Sequence, residues 1–514
     1  MIRKAFSGIM LALLLTSVLT LAFNIQQAKA TGTIIVPDEY PTIQEAINNA
    51  NEGDTVFVRT GTYYENVVVN KTVFLIGENK EKTIIDGNNT YWEIIKITAN
   101  NTIVSGFTVK NGSGFGIQIR RSFGNTIENN KVIDTLYGIR LDQSVSNSII
   151  GNTAKSNRFM GILLGTSSNN ILRNNEMVSN PENFGVWGIS ISDFINDVDT
   201  SNTVNGKPVY YWINQHDRQV PADAGFVAVV NSSNIVVRNL MLTNNDHGIY
   251  FAYTHNSYIE SNTITNNTAG IDLFQSFDNA VSCNVVLQNT LGIEMRFNSS
   301  NNIVESNSVT ASSNGVYLYQ SNANRIIGNT IRNSRDYGVD FHESNGNSFY
   351  HNNLISNERN VSPYAAGTNA WDDGYPSGGN YWSDYLTRYP SAQELDDSGI
   401  WDTPYNIDEN NQDNYPLMEL WTPPSPIPTT MGELKTKIME LGSEGEIDNQ
   451  GIVNSLVSKL DAAQKFVDKG KIDAAKTILA NGFISHVQGL SGIRITVEAA
   501  DILVESAQYI VSHL

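Results

Sequence analysis

The sequence predicts an all-β solenoid built from stacked parallel strands, followed by a small bundle of α-helices. One supporting observation is a repeat, because a glycine followed by an apolar residue recurs about every 22 residues through the middle of the chain. The other is a change of hydrophobic period, from two within the repeats to a helical period near the C-terminus. The repeat glycines are Gly116, Gly138, Gly161, Gly188, Gly225, Gly248, Gly270, Gly292, Gly315 and Gly338.

Each repeat contains short strands separated by turns rich in Asn, Ser and Gly. Residues one and three positions after the glycine, such as Ile117 and Ile119, are predicted to point into the solenoid. Residues two and four positions after it are predicted to face solvent, because strand side chains alternate between faces. Asparagines at the turns predict ladders of stacked amides along the solenoid. Examples are Asn130, Asn152, Asn174 and Asn239.

Two resemblances follow from these residues. The repeat resembles that of pectin-lyase-fold proteins over residues 33–357, which implies a right-handed parallel β-helix. The string NGKPVYYW at residues 205–212 resembles a segment of the NosD family, whose founding members serve copper delivery to nitrous oxide reductase. The NosD resemblance extends over residues 95–420 and implies, as one alternative, a copper accessory role.

The first 30 residues predict a secretory signal peptide. Arg3 and Lys4 precede an apolar run, and a small-residue cleavage motif ends at Ala30. This pattern predicts a secreted or cell-surface protein that has no membrane span after cleavage. The formal net charge of −19 disfavours nucleic acid as a partner, because an acidic chain repels phosphates.

Residues 31–98 are predicted to cap the solenoid and to form its first rungs. Pro41 is predicted to open a helix whose apolar face covers the exposed end of the stack. The element Gly-Thr-Tyr-Tyr-Glu at residues 61–65 resembles part of the pectin methylesterases. The catalytic motifs of that class are missing from the sequence, so we interpret this element as structural.

The repeats are predicted to span residues 99–357, with one excursion at about residues 194–224. The excursion is indicated by a gap of 37 residues between Gly188 and Gly225, the longest in the series. Insertions in repeat proteins map to loops on one face, often the face that binds a ligand. Cys283, the only cysteine, is predicted to be a buried apolar residue of a strand.

Outward positions of the last repeats form a predicted stripe of charged and aromatic side chains. Carboxylates and aromatic rings on a rigid face suit the rings and hydroxyl groups of sugars, so the predicted partner is a polysaccharide or glycan. The predicted contact residues are Tyr250, Asp272, Glu294, Arg296, Tyr317, Tyr319, Asp340 and His342.

Whether this stripe is catalytic is left open by the sequence. Asp272 and Glu294 are expected one rung apart, at about 5 Å, which matches the carboxylate spacing of retaining glycosidases. Alternatively they could share a Ca²⁺ ion with Arg296 as the base, as in some polysaccharide lyases. An enzyme would therefore be a glycoside hydrolase or a polysaccharide lyase, and the simplest alternative is a solvated surface.

Residues 358–420 are predicted to cap the far end of the solenoid and resemble the terminal segment of NosD-like surface proteins. Alternating oxygen ligands near a glycine turn suggest a calcium loop there, at Asp396, Ser398 and Asp402. A Pro-rich linker at residues 421–430 precedes residues 431–514, whose helical period resembles the FIMAH module of secreted carbohydrate-active proteins.

The sequence thus favours a secreted or cell-surface protein that binds, and in one version processes, polysaccharide. Two alternatives remain open. One is a non-catalytic structural or adhesion protein that meets other components of the cell envelope. The other is a copper accessory protein of the NosD kind. Ca²⁺ is the only cofactor that the sequence suggests.

Overall fold

The computed structural model describes residues 32–363, 367–422 and 427–514. The chain forms two compact units, which meet in sequence between Trp421 and Thr422. The first unit is a parallel β-helix and the second consists of α-helices, so the predicted fold class is confirmed. The predicted signal peptide lies outside the described residues.

The β-helix consists of two consecutive solenoids, and the first occupies residues 33–204. Successive strands pass through three sheets, which we call A, B and C. Sheet A comprises Thr33–Val36, Thr55–Val58, Phe74–Gly77, Ile103–Ser105, Thr126–Glu128, Ser148–Ile150, Ile171–Arg173 and Asp197–Val198. Sheet B comprises Gly61–Tyr63, Thr83–Asp86, Thr108–Lys110, Lys131–Ile133, Thr153–Lys155, Glu176–Val178 and Thr203–Val204. Sheet C comprises Val67–Val69, Glu93–Ile97, Phe115–Arg120, Tyr137–Asp142, Met160–Gly165 and Glu182–Trp187.

The second solenoid occupies residues 207–382 and also has three sheets, which we call D, E and F. Sheet D comprises Lys207–Ile213, Phe226–Val230, His247–Ala252, Ala269–Phe274, Leu291–Arg296, Asn314–Tyr319, Tyr337–His342 and Arg359–Val361. Sheet E comprises His216–Gln219, Ser233–Arg238, Tyr258–Glu260, Ala280–Ser282, Ile303–Glu305, Arg325–Ile327 and Ser348–Tyr350. Sheet F comprises Met241–Thr243, Thr263–Thr265, Val285–Leu287, Ser308–Thr310, Thr330–Arg332, Asn353–Ile355 and Tyr381–Trp382.

A short helix, Ile43–Asn49, covers the first rung of the first solenoid, as the sequence predicts. Thr42 rather than Pro41 is its N-cap, and the Thr42 hydroxyl accepts a hydrogen bond from the amide of Glu45. The Glu65 carboxylate also accepts hydrogen bonds from the first two amides of this helix. Glu65 therefore anchors the cap, which agrees with a structural role for its segment.

The turns of both solenoids use two neighbouring positions for different purposes. The first position has a left-handed backbone, and the second carries a buried asparagine. Asn130 Nδ2 donates to Asn152 Oδ1 at 3.2 Å, which confirms an amide ladder. Asn174 and Asn239 instead occupy the left-handed position, with φ of 54° and 57°, so they lie outside the ladder. Cys283 shares that position and is exposed, so its predicted burial was wrong.

The repeat glycines are explained by close contact between rungs. A Cβ atom added to Gly292 would lie 2.3 Å from the carbonyl oxygen of Gly315, so no side chain fits between these rungs. After the glycines that stack in this way, the inward Ile, Val and Leu side chains are buried, as at Ile117 and Ile271. Rung spacing therefore selects glycine, and core packing selects the residues around it.

Two glycines of the repeat, Gly188 and Gly225, lie outside this ladder. The register places Asn183 and Phe226 at the glycine position of their rungs. The repeat glycines consequently form one ladder in sheet C and another in sheet D, rather than the single column that the sequence suggested.

The break between the two ladders is produced by the crossover, residues 188–213. Asn205 and Gly206 have φ of 49° and 80°, as in a tight two-residue turn, and Thr203–Val204 pairs antiparallel with Lys207–Pro208. Sheet B thereby continues into sheet D as one 15-stranded ladder. In the first solenoid the glycine-containing strands of the repeat form sheet C. In the second solenoid the equivalent strands form sheet D, which stacks on sheet B, so the second solenoid is displaced sideways by one face.

This sideways shift divides the hydrophobic core into two clusters. The core of the first solenoid continues onto the outer face of the first strands of sheet D. There the crossover residue Phe194, in the 3-10 turn Ile191–Phe194, packs against Tyr250 and Phe274, with ring centroids 5.6 and 5.3 Å apart. The second core lies inside sheets D, E and F.

Aromatic side chains close the far end of the second solenoid. Trp382 stacks on Tyr405 with ring centroids 3.9 Å apart, next to the hairpin of Tyr405–Asn406 and Gln412–Asp413. The buried Asp413 carboxylate accepts hydrogen bonds from Asn380 N at 2.7 Å and Trp382 Nε1 at 2.8 Å. It therefore ends one asparagine ladder. A four-residue helix, Tyr385–Arg388, completes this cap.

The second unit has its own core of apolar helix faces. Its helices are Met431–Glu444, Gln450–Val467, Ile472–Thr477, Ser485–Leu490 and Val497–His513, with a π-helical stretch at Ile478–Ile484. Within the described parts of the chain, no helix is both long enough and apolar enough to span a membrane.

Candidate functional site

Ionisable side chains gather where the two solenoids meet. We call this group the junction cluster. Three of its members belong to the predicted stripe, and three were not predicted as site residues. The cluster comprises Glu182, Asp246, His247, Asp272, Glu294 and Arg296.

Hydrogen bonds in this cluster connect the first solenoid to the second. Glu182, on the last strand of sheet C, accepts a hydrogen bond from the hydroxyl of Thr268. Trp187, at the end of the same strand, donates its indole N–H to the Asp246 carboxylate. The cluster therefore lies at the join between the two stacks.

His247 lies between two carboxylates. Its Nε2 atom is 3.0 Å from Asp272 Oδ2, and its Nδ1 atom is 3.3 Å from Asp246 Oδ2. Burial disfavours the charged imidazole, but the charges of Asp246 and Asp272 outweigh that effect and raise the pKa of His247. The ring also stacks on Tyr250, with centroids 4.4 Å apart, so its orientation is set on all sides.

Asp272 is the ionised centre of the cluster. It has no exposed surface, and Arg296 Nη2 donates to its Oδ2 atom at 2.6 Å. Burial alone would raise the pKa of Asp272, but the charge of Arg296 and the hydrogen bond from His247 lower it. The Asp272 carboxylate is thus held by the protein and does not face a ligand.

The pKa values of the two glutamates of the cluster, Glu294 and Glu182, shift in the opposite direction to that of Asp272. Burial, together with the charge of Asp272, raises the pKa of Glu294 to about 7. Burial, together with the charge of Asp246, raises the pKa of Glu182 to about 7. The cluster therefore contains an ionised aspartate beside carboxylic acids that keep a proton close to neutral pH, a separation typical of acid–base sites.

The structure corrects the prediction that the whole stripe faces solvent. Tyr250, Asp272, Glu294 and Asp340 are only 1%, 0%, 7% and 5% exposed. The crossover residue Phe194 and the last rung of the first solenoid pack at this face and bury its near end.

At the far end of the stripe, Asp340 is buried by its neighbours on the same face. It accepts a hydrogen bond from Asn314 Nδ2 at 3.0 Å, and its Oδ1 atom is 3.0 Å from His342 Nε2.

The remaining members of the stripe form a half-exposed face. We call Arg296, Tyr317, Tyr319 and His342 the sheet D ledge. The register places Arg296, Tyr319 and His342 on three successive rungs, and Tyr317 between Glu294 and Asp340. The columns expected from the period are confirmed here, and the rings of Tyr317 and His342 lie 5.9 Å apart.

The predicted calcium residues have other partners. Tyr375 donates its hydroxyl to Asp396 at 2.7 Å, and Asp402 accepts from Gln393 N at 3.1 Å. Ser398 lies between them in the same loop, half-buried. Among the residues that the structure describes, no group of three or more His, Cys, Asp or Glu is placed to hold a metal ion. Calcium binding here remains a prediction from the sequence.

The fold and its junction define a parallel β-helix protein with a buried ionic site. The family model described as "Periplasmic copper-binding protein (NosD)" matches residues 47–220 and 200–387, and a model described as "FIMAH domain" matches residues 431–512. The chain belongs to the NosD family and carries a FIMAH domain in its helical unit.

Comparisons with individual proteins give more distant matches. A "Cell surface glycoprotein" of Methanothermus fervidus is 29% identical over 163 residues, which cover 29% of this chain and 27% of that protein. The chain thus spans about a quarter of the length of this curated relative.

Solved structures with a similar backbone path include the catalytic domain of a GH87 alpha-1,3-glucanase. It is 14% identical, covers 69% of this chain and 70% of its own, and has a TM-score of 0.30. An alginate lyase from Paenibacillus sp. str. FPU-7 is 15% identical, covers 66% and 98%, and has a TM-score of 0.23. The fold assignment rests on the strands themselves and not on these likenesses.

The residues of this chain do not fit the copper site that the family description implies. Copper favours imidazole and sulfur ligands arranged around one point. His247 directs each ring nitrogen at a different carboxylate, and His255 stacks on Phe277. His351 stacks on Trp421. The described residues therefore offer no group of three or more His, Cys, Asp or Glu side chains placed around one point to hold a metal ion.

Sequence reasoning missed Glu182, Asp246 and His247 as site residues because they lie outside the predicted columns. The Asn-Gly dipeptide at residues 205–206 was the available signal, since this pair favours a two-residue hairpin turn. Such a turn would have indicated a break in the parallel stack and hence a buried face.

Proposed function

We propose that this protein is a secreted or cell-surface protein that binds polysaccharide along the sheet D ledge. The observation that carries the proposal is the ledge itself, where tyrosine, arginine and histidine side chains recur on successive rungs of a rigid sheet. Such a surface presents aromatic or hydrogen-bonding side chains at successive rungs, about 4.8 Å apart, which allows contacts with successive units of a polymer.

The chemistry of the ledge suits sugar units. The half-exposed rings of Tyr317 and Tyr319 can pack against the apolar faces of pyranoses. Arg296 and His342 can donate hydrogen bonds to hydroxyl groups. The hydrogen bond from Arg296 to Asp272 and the contact of His342 with Asp340 hold these side chains in place before a ligand arrives. Preorganised side chains lose little freedom on binding, which favours affinity.

The location is supported by two observations. The N-terminal sequence predicts a signal peptide, and the relative that matches part of the chain is named as a cell-surface glycoprotein. A non-catalytic envelope protein, in which the solenoids act as a spacer, is the alternative. Such an envelope protein would have the same location, but its ledge would not bind glycans.

A glycan array probed with the purified protein tests this proposal. We expect at least one polysaccharide class to bind. The double variant Tyr317→Ala/Tyr319→Ala should weaken that binding by about tenfold or more, because packing against each aromatic ring is worth about 0.5–1.5 kcal/mol and two rings are removed. Tyr258→Ala is the matched control, since Tyr258 is 51% exposed on sheet E. If the double variant and the control bind the glycan equally well, the ledge is not the binding surface.

Processing of the bound polysaccharide is a second candidate function. It is favoured by Glu294, whose pKa of about 7 leaves a proton available beside the ionised Asp272 and next to the ledge. A protonated carboxyl at that position could donate its proton to the bridging oxygen of a glycosidic bond as the bond from that oxygen to the sugar carbon breaks. Water then adds to the sugar carbon, and the proton that the water loses returns to the Glu294 carboxylate. Release of reducing ends by the wild type, abolished in Glu294→Gln with glycan binding retained, is the expected result. No release with any bound glycan would limit the protein to binding.

A further inference from the structure

A crevice lies between the last rung of the first solenoid and the first rung of the second. It has a volume of about 540 Å³ and shares no residue with the sheet D ledge. One wall carries Ile171 and Asn169 of the first solenoid, and the other carries Trp212, Gln215 and Arg218 of the second. The sideways shift at the crossover creates this space, because the two stacks do not meet end to end.

The crevice has apolar surface on both walls. The side chain of Ile171 is 40% exposed, and Trp212 on the opposite wall is only half-buried. Tyr210 meets Trp212 edge to face at 6.2 Å and supports the indole from one side. Together these surfaces can enclose a flat, partly apolar ring.

A positive charge stands at the same place. The guanidinium group of Arg218 lies 4.5 Å from the centre of the Trp212 ring and donates to Gln215 Oε1 at 2.6 Å. Both partners are uncharged, so no carboxylate neutralises Arg218 among the residues described. Stacking and the hydrogen bond hold the guanidinium in a fixed plane, ready for an external carboxylate.

The acidic residue of the crevice is already paired. Asp197 is bound by Arg173, whose Nη2 atom is 2.5 Å from Asp197 Oδ2 and whose Nη1 atom donates to the Asp197 carbonyl at 2.7 Å. Arg173 is shared with Asp199, whose Oδ2 atom is 3.0 Å from Arg173 Nε. Among the charged side chains that line the crevice, Arg218 is the one without an ion pair, so its guanidinium can take an anionic group of a ligand that also has an apolar face.

We propose that this crevice binds an acidic sugar unit, a hexuronate, within a polysaccharide. The sugar ring packs between Trp212 and Ile171, its carboxylate pairs with Arg218, and its hydroxyl groups meet the amide of Asn169. The proposal takes only the class of ligand from the function proposed above, and it adds a second contact site with its own preference for charge.

Titration with trigalacturonate and with its methyl ester, followed by calorimetry, tests the site. We expect the wild type to bind the acid about tenfold more tightly than the ester, because a charged hydrogen-bonded pair is replaced by neutral contacts. Arg218→Gln should remove that difference. Arg238→Gln is the matched control, because Arg238 lies on the next strand of sheet E and pairs with Glu260 on the surface.

The outcomes separate this proposal from the ledge. Loss of the acid preference in Arg218→Gln, with the preference retained in Tyr319→Ala, supports the crevice. Loss of the acid preference in Tyr319→Ala, with the preference retained in Arg218→Gln, assigns the acid preference to the ledge and overturns the proposal for the crevice. Equal affinity for acid and ester in the wild type, or no binding of either at millimolar concentration, also overturns it. Quenching of Trp fluorescence by trigalacturonate that is absent in Trp212→Phe adds a reading independent of affinity.

Discussion

The two solenoids have the same rung, but the charged residues on their outer faces differ in burial. In the first solenoid, Arg140 lies half-buried on the outer face of sheet C, over the rings of Phe115 and Tyr137 at 5.0 and 5.1 Å. In the second, the corresponding face of sheet D carries Asp272, which has no exposed surface. The repeat dictates the inner face in both solenoids, whereas the crossover decides whether the outer face meets water or protein.

The largest predicted difference between the two solenoids is in the role of their outer arginines. Arg296→Gln removes the permanently charged partner of the buried Asp272, which keeps only His247, and should lower the free energy of unfolding by about 3–5 kcal/mol. Arg140→Gln removes a half-exposed pair with Asp142 and should cost about 1 kcal/mol or less. Urea unfolding of both variants measures the difference, and equal midpoints would contradict a buried junction.

The glycine ladders, in contrast, should be equivalent in the two solenoids. A Cβ atom at Gly292 or Gly138 would lie 2.3 or 2.5 Å from a carbonyl oxygen of the next rung, so each Gly→Ala change should destabilise its solenoid by about 1–3 kcal/mol. Gly346→Asn is the control, because Gly346 has φ of 64° and open space, and asparagine occupies such turns elsewhere. A strong effect in only one solenoid would show that the rungs are not alike.

The smallest predicted effect concerns the pH response of the junction. The pKa of Glu182 is raised to about 7 in the folded protein, so the stability due to its proton is fully present below about pH 4.5 and is lost as the pH rises through 7. Glu182→Gln cannot ionise and should reduce that loss by about 2 kcal/mol.

Urea midpoints at pH 5 and pH 8 measure this effect. Glu176→Gln, at an exposed position of sheet B, should leave the pH response unchanged. If the stability of Glu182→Gln depends on pH as strongly as that of the wild type, then Glu182 is not protonated in the folded junction.

Much of the fold was accessible from local pattern. The alternation at Ile117 and Ile119, the capping helix and the helical C-terminal unit all follow from hydrophobic period and short-range turn chemistry. The existence of an amide ladder was predicted correctly. The sequence did not distinguish the left-handed turn position from the buried position beside it, so Asn174 was assigned to the ladder in place of its neighbour Asn175.

The site was less accessible, because it depends on residues far apart in the chain. Tyr317, Tyr319 and His342 remain half-exposed as the columns predict, although Phe297 of the preceding rung packs edge to face against Tyr319. Asp272 and Tyr250 are buried because Phe194, a crossover residue nearly 80 positions away from Asp272 in the sequence, packs at the same face.

By itself, the sequence determined the rung: glycine where two backbones touch, asparagine where amides stack, and apolar side chains inward. These are contacts between neighbouring repeats, and the repeat period specifies them. Only the tertiary structure decided that the stack breaks at Asn205-Gly206 and resumes one face to the side. That shift buries the carboxylates of the junction, raises the pKa of Glu182 and Glu294, and opens the crevice beside Trp212.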